Sequence, residues 1–253
     1  MANPAQPVTH PAATASTRLA ALDIARGLAL LAMAVFHFVF DLELFGWLAP
    51  GTSTSGGWRV LALCTAGSFL FLAGVSLWLA HGRGIRWRGF AKRFAMVAGA
   101  AALISVATYV AMPQAFVFFG ILHAIATASL LGLLCLRLPA PVVIVLAGAA
   151  FWAPQALRSP IFDAPGLWWV GLQTAPITSV DYVPLLPWFG PFLLGLAAAR
   201  IADRAGLWQA LAARPAPGWQ VRLGWPGRHS LAIYLIHQPV LIALVWIGTQ
   251  MLR

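Results

Sequence analysis

The chain has 253 residues, of which 61% are hydrophobic and 9% charged. An ordinary soluble domain carries roughly 25% charged residues, so a water-soluble globular protein is excluded. The formal net charge of +10 does not point to nucleic acid, because in so apolar a chain basic residues mark cytoplasmic loops and contacts with anionic headgroups. The composition implies an all-α, polytopic transmembrane helical bundle whose main partner is the lipid bilayer.

Residues 1–17, rich in Ala, Pro and Thr, lack the basic-then-apolar order of a signal peptide and read as a disordered cytoplasmic tail. Residues 18–253 read as one transmembrane domain. Stretches of about 20 apolar residues are long enough to span, and they fall near 20–40, 58–80, 91–112, 115–136, 140–157, 184–203 and 229–252. The count is about seven spans, or six if the fifth, bracketed by Pro139, Pro141 and Pro154, is discounted.

With the N-terminus inside, the inner face receives Arg18, Arg83, Arg86, Arg88, Lys92, Arg93, Arg137, Arg200, Arg204, Arg214, Arg222 and Arg228. The outer face receives Arg59, Arg158 and Arg253, together with Asp41, Glu43, Asp163 and Asp181. That asymmetry predicts a cytoplasmic N-terminus and an external C-terminus. The longer connections, 158–183 outside and 204–228 inside, carry paired or interleaved Trp residues and read as interfacial segments. There is no internal repeat. Cys64 and Cys135 share no ligand-type spacing, so no metal is expected.

Ionisable groups inside spans are expensive and mark function. The first span holds Asp23, Arg26, His37 and Asp41. At 100° per residue, positions 26, 37 and 41 lie within about 60° of position 23. They form one polar stripe with Gly27 and Ala34, while Leu28, Leu31, Val35 and Phe38 lie off it. His37 and Asp41 stand one turn apart, a spacing at which a carboxylate can fix an imidazole's tautomer for general-base work. Ser230, Tyr234 and His237, with Gln238 beside them, form a second polar face in the last span. The fourth span places His123 one turn before Thr127. The sixth opens with Asp181-Tyr-Val-Pro-Leu-Leu-Pro-Trp-Phe-Gly-Pro191, whose prolines should break the first turns. Asp23 with Arg26 at i, i+3 can also be an internal ion pair, and His123 and His237 can be helix–helix hydrogen-bonding groups.

The opening Arg18-Leu-Ala-Ala-Leu-Asp-Ile-Ala-Arg-Gly-Leu-Ala-Leu-Leu-Ala-Met33, followed by His37 and Asp41, resembles the catalytic domain of heparan-α-glucosaminide N-acetyltransferase and its small bacterial relatives. The segments 119–126, 181–190 and 227–239 are similar to others of that family. The resemblance implies a transmembrane acyltransferase of the bacterial inner membrane. It would use acyl-CoA, acetyl-CoA in the family's case, as cytoplasmic co-substrate and a sugar-type acceptor at the outer face, with a homodimer possible. Arg83, Arg86, Arg88, Lys92 and Arg93 would hold the CoA phosphates. Asp23, Arg26, Asp181, Tyr182, Trp188, Tyr234, His237 and Gln238 would line the substrate path. His37, Asp41 and His123 would do the chemistry. One departure stands out: the family's first outer loop carries a catalytic histidine, whereas residues 41–58 here contain none. His37 is therefore assigned from position and chemistry alone. Two other readings remain at this stage, a small-molecule transporter whose polar stripe is a conduction path and a haem protein ligated by histidines of two spans.

Overall fold

The structure, a computed structural model, describes residues 19–213 and 216–252. The expected tail over 1–17 lies outside the described residues. Ten α-helices and no strands occur among those described. Five helices are long and apolar enough to cross a membrane: α1 (Ala20–Leu44), α2 (Gly56–His81), α3 (Trp87–Ala111), α6 (Leu185–Arg204) and α10 (Ser230–Leu252). The shorter apolar helices α4 (Ile121–Cys135) and α5 (Ala140–Ala156) occupy the fourth and fifth expected positions. The chain is thus a polytopic helical bundle, with α7 (Leu207–Ala212), α8 (Gly218–Leu223) and α9 (Trp225–Arg228) in the connection before the last helix.

The fourth helix starts at Ile121, later than the expected 115, because Pro113–Ala115 forms a separate 3-10 turn and residues 116–120 pair outside the helix. Val180 N–H donates to Ala115 O at 2.9 Å and Val183 N–H to Phe119 O at 3.0 Å, so the segment entering α6 runs along the segment entering α4. At the other end of α4, the guanidinium of Arg200 donates to the carbonyls of Leu136 and Leu138 and lies 5.1 Å from the centre of the Trp78 ring. A cation there satisfies carbonyls that a helix C-terminus leaves unpaired.

α6 does break where three prolines predict it. Leu186 has non-helical angles, φ −104° and ψ 129°, inside the first turn. Below the break, α6 is the central helix, packed most closely against α2 and α5. Two glycines bring α2 and α6 into backbone contact. A Cβ on Gly195 would lie 2.0 Å from Phe71 O, and one on Gly74 would lie 2.0 Å from Phe192 O. Small residues allow this approach, and in lipid such packing takes the place of the hydrophobic effect as the force between helices. Phe192, Leu193 and Leu196 are fully buried there.

α1 shows the polar and apolar faces its sequence requires. Leu28 and Leu31, off the polar stripe, are 59% and 61% exposed, a lipid-facing pattern, whereas Asp41 is 0% exposed. α1 packs against α2, α9 and α10, so its polar groups meet protein.

Gly195→Ala is expected to destabilise the bundle by about 1–3 kcal/mol or more through overpacking against the α2 backbone. Gly99→Ala on α3, with nothing within 4 Å of its added Cβ, is expected to be neutral. Thermal unfolding in detergent of both variants beside wild type checks the contrast.

Candidate active site

Two ladders of polar contact lie along α1, one reaching α2 and one reaching α10. At the end that carries most arginines, the basic end, α9 lies against the start of α1. A Cβ on Gly227 would sit 1.8 Å from Asp23 O, so only glycine allows the approach. Arg26 donates to Asp23 Oδ1 at 3.1 Å and to Ser76 Oγ of α2 at 2.7 Å. The i, i+3 ion pair read from the sequence is therefore present, with a third helix drawn in.

About 17 Å further along α1, at 1.5 Å per residue, His37 meets His237. Nε2 of His237 lies 3.3 Å from Nδ1 of His37, with the rings edge to face. Each Nδ1 also faces a carbonyl of its own helix, Met33 O at 3.0 Å for His37 and Tyr234 O at 2.5 Å for His237. A carbonyl only accepts, so both rings carry their proton on Nδ1. His237 Nε2 then offers its lone pair to the same N–H of His37, and the remaining lone pair of the couple is Nε2 of His37. On this arrangement Nε2 of His37 is the one ring nitrogen of the pair left to accept a proton.

Asp41 does not orient His37 as the spacing suggests. Its carboxylate turns to α10, where Gln238 Nε2 donates to Oδ1 at 2.7 Å. Asp41 Oδ2 and Gln238 Oε1 are both buried without a hydrogen-bond partner, leaving two acceptors beside the histidine pair. At the end opposite the basic one, Trp47 Nε1 donates to Thr249 Oγ1 at 2.9 Å, closing the α1–α10 contact.

His123 is positioned otherwise. Its Nδ1 accepts from Gly120 N–H at 3.2 Å and its Nε2 faces Ser105 Oγ at 3.2 Å, while that hydroxyl donates to Val117 O at 2.6 Å. Both nitrogens are engaged in bracing the start of α4. Asp181 serves the same start: its Oδ2 accepts from Ile121 N–H at 3.0 Å, and a Cβ on Gly120 would meet that oxygen at 2.2 Å. Enclosure by protein pushes the Asp181 carboxyl up to about 6 despite this bond. Tyr182 donates to Trp168 O at 2.6 Å and packs against Phe118, with burial pushing its hydroxyl up to about 12. Trp188 packs against the main core.

Two cavities reach this framework. The first, of about 970 Å³, opens at the basic end between α1, the end of α2 and α7, and is lined by Asp23, Arg26, Arg83, Arg86, Asp203 and Arg228 among others. The second, of about 520 Å³, shares Arg26 and Arg228 with the first, adds Arg93, and ends at Tyr234, Ile121 and Leu122. Tyr234 is in ring contact with His237, centroids 5.5 Å apart. Arg88 and Lys92 are exposed on α3 and line neither cavity. Arg228 went unremarked in the sequence as anything but a topology signal. Its Nη2 donates to Val221 O at 2.6 Å and its buried Nε has no partner. Its place in the segment 227–239, similar to the family, was the available clue.

The ring nitrogens of His37 and His237 meet each other at 3.3 Å, while those of His123 are engaged with Gly120 and Ser105. No group of three or more His, Cys, Asp or Glu that could hold a metal occurs among the described residues.

The family described as heparan-alpha-glucosaminide N-acetyltransferase, catalytic, matches residues 18–239. That range contains both ladders, from Asp23 to Gln238. No curated protein and no solved structure matches the chain.

The raised Asp181 carboxyl gives a pH prediction. A group whose folded value lies above its unfolded one favours the fold while protonated, and that contribution is lost as pH rises through the folded value. Wild-type thermal stability in detergent should therefore decline between about pH 4 and about pH 6. Asp181→Asn, which keeps an acceptor for Ile121 N–H, should flatten that part of the profile.

Proposed function

The chain belongs to the heparan-alpha-glucosaminide N-acetyltransferase catalytic family, and on that premise we propose an integral membrane acyltransferase of the bacterial inner membrane. It moves an acyl group from acyl-CoA at the basic, cytoplasmic end to a hydroxyl or amine of a sugar-type acceptor at the opposite face. The observation that carries this reading is the arginine-lined cavity of about 970 Å³, joined through Arg26 and Arg228 to a second cavity that ends one turn from the His37–His237 pair. A polyanionic head enters at one end, and an extended arm has a route along the protein toward a neutral base.

Arg26, Arg83, Arg86 and Arg228 face the first cavity and bind the CoA phosphates, for which the planar guanidinium is suited. Arg93 neutralises the same head from the second cavity. Arg88 and Lys92 face outward and serve orientation and lipid headgroups. Asp23 holds Arg26 in place.

The chemical step is direct transfer. The acceptor's O–H or N–H gives its proton to Nε2 of His37 as its heteroatom attacks the thioester carbonyl. A C–O or C–N bond forms, the C–S bond breaks, and the proton passes from His37 to the departing CoA thiolate. The imidazolium formed on the way is stabilised by His237 Nε2, which accepts from the Nδ1–H of His37. Asp41 Oδ2 and Gln238 Oε1, buried acceptors without donors, take hydrogen bonds from the acceptor's hydroxyl or amine groups. Tyr234, at the inner edge of the pair, is the donor for the developing oxyanion. His123 and Asp181, both spent on the start of α4, hold that wall in register. Tyr182, with Phe118 and Trp168, gives an aromatic face at the outer end for a sugar ring.

His37→Ala should leave acyl-CoA binding intact and lower turnover about 10²–10⁴-fold, the usual worth of a general base. Arg26→Ala or Arg228→Ala should weaken acyl-CoA binding tenfold or more, since a hydrogen bond to a charged group is worth about 1.5–3 kcal/mol. Calorimetric titration of purified protein with CoA and acetyl-CoA, paired with a turnover assay on amino sugars, tests both. Folded protein that binds neither ligand would refute the acyltransferase reading and favour a transporter.

A further inference from the structure

The first cavity carries more than charge. Its arginines answer the phosphates of an acyl-CoA, but such a donor also brings an uncharged planar base to the same end. The lining divides accordingly. Arg26 and Arg228 belong to α1 and α9, whereas Asp203, Trp208 and Gln209 belong to the end of α6 and to α7. Arg83 joins the two sides, with Nη2 on Asp203 Oδ1 at 3.2 Å and most of its side chain open to solvent. The Asp203 carboxylate makes the α6–α7 side a poor one for phosphate, and the indole beside it offers a flat apolar face to a neutral heterocycle.

Three tryptophans lie in the connection before α10, and they are placed differently. Trp219 and Trp225 are 62% and 54% exposed, as suits rings that settle at a membrane interface. Trp208 is half-buried and lines the cavity. Its N–H is turned inward and donates to Ala199 O of α6 at 2.9 Å, so it is not spent on water or headgroups as an interfacial indole's is. That bond fixes the ring against the last turns of α6. No aromatic ring or guanidinium lies against it among the described residues. Trp78, the other tryptophan of the lining, is already engaged. The Arg200 guanidinium stands 5.1 Å from its ring centre, and the ring abuts Gly82.

We propose that Trp208 is the platform on which the adenine of the donor stacks, so that α7 forms the nucleotide end of the site. The inference rests on the acyl-CoA reading above and names the side chain that recognises the donor's base. Loss of such a platform weakens binding of a base about five- to a hundredfold. The base lies far from the thioester, and the stack is the same before and during acyl transfer. Its loss therefore raises KM for the donor and leaves kcat unchanged.

The experiment uses the full chain purified in detergent and etheno-CoA, an analogue whose modified adenine fluoresces and is quenched by stacking on an indole. With protein in excess, emission of the wild-type complex should fall to about half that of the free analogue, or lower. In Trp208→Leu the emission should recover, and CoA should bind about tenfold more weakly. Trp208→Phe keeps a face for stacking and loses only the N–H, so its CoA affinity should stay within about threefold of wild type. An unquenched wild-type complex would overturn the proposal without recourse to any variant. A Trp208→Leu complex as quenched as wild type would place the base elsewhere and overturn it too. Equal weakening in the Phe and Leu variants would reduce Trp208 to a brace for α7 through its N–H. Failure of folded wild type to bind CoA at all would instead overturn the acyltransferase reading on which the inference stands.

Discussion

A polar stripe on a membrane helix has to find its partners inside the protein, and α1 sets the rest of the architecture through that requirement. Hydrocarbon offers no hydrogen bonds, so each polar group left facing it costs several kcal/mol. Asp23, Arg26, His37 and Asp41 run along one face, and each is met. Arg26 takes Asp23 and Ser76, His37 takes His237, and Asp41 takes Gln238. The opposite face, with Leu28, Leu31, Val35 and Phe38 exposed, is free to meet lipid. The same polar contacts that satisfy α1 are those that bring the two histidines and their neighbours together.

α10 illustrates how unevenly such a bundle is held. It packs chiefly on α1 and buries fully only Val245 and Thr249. Apolar burial does little to fix its rotation. Its position is set by directional contacts at successive levels: the histidine pair, the amide–carboxylate bond of Gln238, and Thr249 with Trp47. α2, α5 and α6 are the contrary case. Their glycine-mediated packing around Phe192 makes a rigid block against which the site is built.

The bundle was largely legible in the sequence because hydrocarbon thickness imposes a length on every spanning helix. Each of the seven expected spans has a helix, five of them long and apolar enough to cross a membrane, and the proline-rich opening of α6 breaks at Leu186 as steric reasoning requires. The start of α4 was not legible. It depends on Asp181 and His123 reaching the backbone at Gly120 and Ile121, and the 60 residues between Asp181 and Ile121 leave no local trace. The site was half legible for the same reason. Helical spacing correctly put His37 and Asp41 on one face, yet it suggested that they serve each other, while the real partners lie on α10. Arg228 looked like one more inside charge. Only the fold shows that it, with Arg26, stands where two cavities meet, whereas Arg88 and Lys92 point away.

The separation of these partners along the chain has a consequence for biogenesis. Asp41 and Gln238 are 197 residues apart, and ribosomes add about 5–20 residues per second. The first helix is therefore made some 10–40 seconds before the last, and throughout that interval its carboxylate and imidazole have no α10 to bond. The nascent chain must keep α1 beside water, or in the shelter of the insertion machinery, until the final helix arrives. The histidine pair comes into being at the end of synthesis, so no partly made chain carries it assembled.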